Sequence, residues 1–173
     1  MKQLLLTTLM GVFSLTTLAQ QKTNLAKLQF DELAAKVLQG ITGVRQGKLY
    51  DLPNMLSYGI DNKGVLLFDR YAPPHVELLA YNEKVAGFGF RIMSYAFQQE
   101  IKDYLEDHYA LKLADSSRWG KQYTYADSQV TINFQAVPET DFKQGRSGYL
   151  DIKTSTLTKA IAVQEEKYKK AHR

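Results

Sequence analysis

The sequence predicts an α+β domain: an antiparallel sheet built from hairpins, with helices packed on one face, in two layers. Three observations predict it. Apolar runs are joined by short turns, and strands joined that way pair antiparallel because a parallel pair needs a long crossover. Three stretches, near the start, middle and end, carry the three-and-four spacing of amphipathic helices. Finally, 45% hydrophobic residues in 173 are enough for one core, and no linker-like stretch divides the chain.

The chain opens Met1-Lys2-Gln3, followed by an apolar run over 4–18 and the small-x-small triplet Thr17-Leu18-Ala19. This is the pattern of a secretory signal peptide over 1–19, cleaved after Ala19, leaving a single domain over 20–173. The run is shorter than the roughly 20 residues a membrane span needs, and Thr7, Thr8, Ser14 and Thr16 interrupt it. There is no cysteine, hence no disulfide framework and no lipid-acceptor Cys at the signal junction. With no Asn-x-Ser/Thr sequon either, the expectation is a bacterial periplasmic or secreted protein.

The net charge is +4. A nucleic-acid binder shows a basic stripe; here the one concentrated basic run is Lys167-Tyr168-Lys169-Lys170-Ala171-His172-Arg173. Its position after a helical pattern reads as a solvated helix end that complements the dipole. No nucleic-acid partner and no cofactor are expected.

Residues 20–26 read as a polar, mobile lead-in. Phe30, Leu33, Ala34, Val37, Leu38 and Ile41 then recur at helical spacing, predicting a helix over 25–39 that stops at Gly40. Glycine-rich 41–50 reads as a turn with a short strand. Runs 55–60 and 65–71 flank Asp61-Asn62-Lys63-Gly64 and predict a first hairpin. Runs 75–81 and 85–92 flank Asn82-Glu83-Lys84 and predict a second. Its outgoing strand, Val85-Ala86-Gly87-Phe88-Gly89-Phe90-Arg91-Ile92, is the one around which the fold is organised. It alternates Phe88, Phe90 and Ile92 on one face with Gly87, Gly89 and Arg91 on the other. Gly-Phe-Gly-Phe resembles the base-stacking strand of the RNA-recognition motif. Ala86 stands where that pattern needs a basic residue, Arg91 where it needs an apolar one and Met93 where it needs an aromatic, so the two phenylalanines read as core.

Ser94 is the expected N-cap of a second helix, with Phe97, Ile101, Tyr104, Leu105 and His108 on one face. The pattern is loose over 111–120. Runs 121–125 and 129–137 predict a third hairpin, 138–148 a polar loop, 148–155 a last strand, and 157–173 a C-terminal helix ending in the basic tail.

The chemistry-bearing residues are few. His75 and Glu77 project from one strand face, the geometry of an acid–base pair, and His108 is the other histidine inside the fold. These three would carry catalysis in a small envelope hydrolase. No catalytic nucleophile is legible: Ser147 lacks the Gly-x-Ser-x-Gly context. Against that reading stands aromatic content of a kind used at binding hot spots: Arg118, Trp119, Tyr123 and Tyr125 around the third hairpin. The leading expectation is a non-enzymatic binding protein, of inhibitor or immunity type, whose partner is a protein or another envelope component.

Overall fold

In the computed structural model, which describes residues 23–48, 51–61, 65–66 and 71–172, the chain begins with β1 (Thr23–Asn24), a 3-10 turn at Leu25–Lys27 and α1 (Ala34–Val37). There follow β2 (Val44–Gly47), β3 (Met55–Ile60), β4 (Val65–Leu66), β5 (Val76–Tyr81), β6 (Lys84–Ile92) and α2 (Tyr95–His108). The second half contains β7 (Lys112–Ser117), β8 (Gly120–Ala126), β9 (Val130–Ala136), α3 (Glu139–Lys143), β10 (Gly148–Thr154) and α4 (Ser155–Ala171). The signal-peptide pattern over 1–19 lies outside the described residues. Among those described, no helix is long and apolar enough to cross a membrane.

Eight strands form one open antiparallel sheet in the order β2-β3-β5-β6-β10-β9-β8-β7. The glycine-aromatic strand β6 lies near its centre, between β5 and β10, with Phe90 opposite both Val76 and Leu150. Phe88, Phe90 and Ile92 are buried with Leu78, Ile132, Phe134 and Leu150 under Ile101 and Leu105 of α2. A second, smaller cluster joins Met55, Leu79 and Ala86 to Leu157 of α4. Neighbours in a strand face opposite ways, so Leu78 and Leu79 place these clusters on opposite faces of the sheet. The expectation of helices on one face in two layers is therefore corrected: α2 covers one face, and the first turns of α4 cover part of the other. The sequence hid this because Leu157 and Ile161 are too few to mark a face.

The predicted helix over 25–39 is also corrected. The hairpin turn of β5–β6 intervenes: Ala34 N–H donates to the Glu83 carbonyl at 2.9 Å, and Val85 N–H donates to the Glu32 carbonyl at 2.8 Å. Those bonds, which flank the Leu33–Lys84 bridge, hold Leu33 extended against the sheet, so only the 3-10 turn and the short α1 remain helical. Nor is 23–26 a mobile lead-in, since Leu25 is buried in the main core. The first hairpin takes a different form: β3 is flanked by β2 and β5, leaving no free edge for the next run, and β4 pairs with β1 in parallel. β1, in the predicted lead-in, had no strand signal, and two later elements had no signal either. β7 is exposed along its whole length and so shows no alternation, and α3 is too short for a period.

The second and third hairpins form as read. Tyr81 pairs with Lys84, so the β5–β6 turn has two residues, and both have positive φ: Asn82 at 51° and Glu83 at 67°. Such primed turns favour Asn-Gly. Glu83→Gly is therefore expected to stabilise the fold by about 1 kcal/mol, read as a higher urea midpoint at constant slope.

The β8–β9 turn is closed by Asp127. Its Oδ1 accepts from the Gln129 and Val130 N–H groups, each at 2.7 Å, and its Oδ2 accepts from the Tyr125 hydroxyl at 2.9 Å. The two backbone bonds, then the Tyr125 bond, lower its pKa from the ordinary 3.8. A carboxyl whose folded pKa is depressed stabilises above its unfolded pKa and loses that contribution as pH falls through the folded one. The stability lead of the native chain over Asp127→Asn should be constant from neutral pH to about pH 4 and shrink below it. Urea midpoints between pH 2 and 7 check this; a lead that persists at pH 2 would show that the carboxylate is not what closes the turn.

Candidate functional site

The face of the sheet away from α2 is only partly covered by α4, and two clusters of polar side chains stand on it or at its margin. The first gathers around His75. Gly59 of β3 has no side chain, and a Cβ there would lie 3.0 Å from His75 Cε1, so the imidazole lies over bare backbone. Its Nδ1 contacts Asp61 Oδ1, its Nε2 lies 3.3 Å from Glu77 Oε2, and Asp61 also contacts Arg45 of β2. The hydrogen bond to His75 is the main cause lowering the Asp61 pKa; desolvation opposes it and Arg45 adds to it. His75 and Glu77 thus meet as their spacing implies, joined by Asp61 and Arg45.

His108 does not join them. It ends α2 on the other side of the sheet, with Nδ1 2.8 Å from the Tyr104 carbonyl and its ring stacked on Tyr104 at 4.1 Å. There it complements the negative end of the helix. The imidazole of His75 has both nitrogens directed at carboxylates, so neither is presented to a substrate. A general base needs one nitrogen free to reach the proton it takes. Among the described residues, no group of three or more His, Asp or Glu side chains is placed to hold a metal ion.

The second cluster surrounds Trp119. Ser117 pairs with Gly120, so Arg118 and Trp119 are the two exposed residues of the β7–β8 turn, and Trp119 N–H donates to Ser117 Oγ at 3.2 Å. Gly120 has φ 135°, and a Cβ there would lie 2.3 Å from the Ala136 carbonyl oxygen; only glycine lets this turn press so closely on β9. The Arg118 guanidinium lies 4.3 Å from the Trp119 ring centroid, and the Arg146 guanidinium 4.2 Å from it.

Arg146 is delivered by the end of α3. Gly145, at φ 78°, donates its N–H to the Phe142 carbonyl at 3.0 Å, and Arg146 N–H donates to the Asp141 carbonyl at 2.9 Å, the paired bonds of a Schellman stop. Arg146 Nη1 also donates to Asp141 Oδ2 at 2.8 Å, which fixes the side chain. Trp119 and Arg146 share a concavity of about 390 Å³ with Arg91, Gln135, Val137, Gly145 and Ser147. Arg91 is the residue that β6 turns away from the core, in register with Tyr149 of β10, which faces Gln135 of β9.

Of the aromatics flagged by sequence, Trp119 is 49% exposed, with Arg118 beside it. Tyr123 and Tyr125 lie on the core face instead, against Phe134 at 6.0 Å and Tyr109 at 5.1 Å. Arg146 and Arg91 were not among the candidates. The signal for Arg91 was its place among glycines on the bare face of β6; for Arg146 it was the glycine stop just before it. The chain matches no protein-family model, no curated protein and no solved structure.

Proposed function

We propose that this is a non-enzymatic binding protein, exported to the periplasm or beyond, which contacts a protein partner through the Trp119 corner of its sheet. In its most specific form it is an inhibitor or immunity protein that blocks that partner. One observation carries this reading: an exposed tryptophan with two arginine guanidiniums within 4.3 Å of its ring, held by a glycine-stopped helix and a glycine-dependent turn. Trp and Arg are the residues most enriched at binding hot spots, and fixing them in advance reduces the entropy lost on association. The export half of the proposal rests on the pattern over 1–19.

The test is capture from envelope extract with the mature chain, residues 20–173, beside its Trp119→Ala variant. A stoichiometric partner retained by the first and lost with the second is the expected result. The variant should keep its melting temperature, because half of this side chain is already in water. A partner captured equally by both would move the contact surface elsewhere.

The runner-up, a small hydrolase, draws on the meeting of Asp61, His75 and Glu77. It requires His75 to release one of its two carboxylates before it can act as a base. Hydrolysis of ester or peptide substrates that is abolished by His75→Gln would favour it over the binding reading.

A further inference from the structure

We infer that the segment the Trp119 concavity receives is acidic: an extended stretch of the partner carrying several Asp or Glu side chains. The inference rests on the binding reading and specifies what is bound. Arg91 and Arg146 line the concavity, Arg118 lies against the Trp119 ring that also lines it, and the one acidic partner among them is Asp141, paired with Arg146. Arg91 and Arg118 make no ion pair with any described residue. Arg146 gives Asp141 a bond from Nη1, one of the five N–H donors that a guanidinium carries. The corner therefore holds an excess of two positive charges in groups shaped to grip carboxylates two bonds at a time. Gln135 and Ser147 add neutral polar groups to its wall.

The shape argues for a chain over a lone small anion. The concavity is an open saucer, so a single carboxylate would stay in contact with water, and an exposed ion pair contributes little. Affinity then requires several charges on one backbone. The polar row Arg91–Tyr149–Gln135–Gln122 runs across four adjacent strands. At about 4.8 Å per strand it spans roughly 14 Å, the length of about four extended residues.

The experiment uses the full chain and a fluorescein-labelled hexaglutamate peptide, followed by polarisation at low and moderate salt, with labelled hexalysine as the control probe. Saturable hexaglutamate binding is expected, weakened by added salt and at least tenfold weaker in Arg91→Ala/Arg118→Ala at an unchanged melting temperature. Arg146 is left in place because it also ties down α3. Lys167→Ala/Lys170→Ala removes the same net charge from the exposed end of α4 and should leave binding unaltered. Absence of saturable binding, or equal losses in the two double variants, would overturn the inference. So would a captured partner that depends on Trp119 but is not displaced by hexaglutamate; that result leaves the binding reading standing, whereas loss of Trp119-dependent capture removes the reading itself.

Discussion

Replacing Phe90 with alanine is expected to lower the stability of the fold by about 3–5 kcal/mol. The ring is 2% exposed, in the most central aromatic strand of the sheet. Its register partners are Val76 and Leu150, and among the described residues the rings of Phe88 and Tyr71 lie 6.3 Å and 6.4 Å away. Truncation removes apolar area that was out of water and leaves a cavity that a paired sheet cannot collapse to fill, because its strands are fixed by their ladder hydrogen bonds. Small domains are stable by about 5–15 kcal/mol, so the loss is a large share of the total. Urea unfolding by circular dichroism reads it directly. A change below about 1 kcal/mol would mean that β6 does not organise the core.

The second large effect concerns one buried amide. Gln98 is 1% exposed, in the first turn of α2. Its Nε2 donates to the Val137 carbonyl at 2.9 Å, and its Oε1 accepts from the Val137 N–H at 2.9 Å. Val137 follows the last residue of β9, where the ladder has ended, and the side-chain amide supplies the two bonds that a further strand would have made. Gly148 makes room for it: a Cβ there would lie 2.5 Å from Oε1. Gln98→Leu keeps the approximate volume and orphans both backbone groups, each worth about 1–3 kcal/mol when buried and unpaired. A total loss of about 2–5 kcal/mol is expected by the same urea measurement. Gln98→Glu should also be costly, because a carboxylate accepts from the Val137 N–H but cannot donate to its carbonyl. A Leu variant as stable as the native chain would show that water replaces the amide.

This amide also positions the Trp119 corner. Val137 lies between β9 and α3, and α3 delivers Arg146 to Trp119. A bond made by α2, on the core side of the sheet, thus fixes the start of the segment that builds the concavity on its margin. Loss of Gln98 should accordingly weaken partner capture at temperatures where the variant is still folded, a coupling that Phe90→Ala would not produce.

What was legible in the sequence is what local physics controls. Period-two alternation in β9 and in β6, the Ser94 cap and the Ile101–Leu105 face of α2 each depend on neighbours within a few residues. Their pattern therefore survives into the fold. So does the Asp127 turn, whose bonds all fall within three positions. The contact of His75 with Glu77 was legible too, because residues two apart in an extended run face the same way.

The remainder was decided at long range. Whether 25–39 became a helix depended on the β5–β6 turn capturing residues 32–34, about fifty positions away, and those backbone bonds outweigh helix propensity. Which edge of β3 took which partner, and the packing of partly buried Tyr123 and Tyr125 against the core while Trp119 stayed in water, followed from sheet order. The concavity itself joins residues 91, 119, 135 and 146 through four strands and a short helix. By itself the sequence determined the antiparallel α+β class, the central aromatic strand and the turn chemistry, since these arise from side chains acting on their own backbone. Only the tertiary structure decided that Arg146 joins Arg118 at the tryptophan and that Asp61 and Arg45 join His75 and Glu77, because such meetings depend on strand order, which local propensity does not encode.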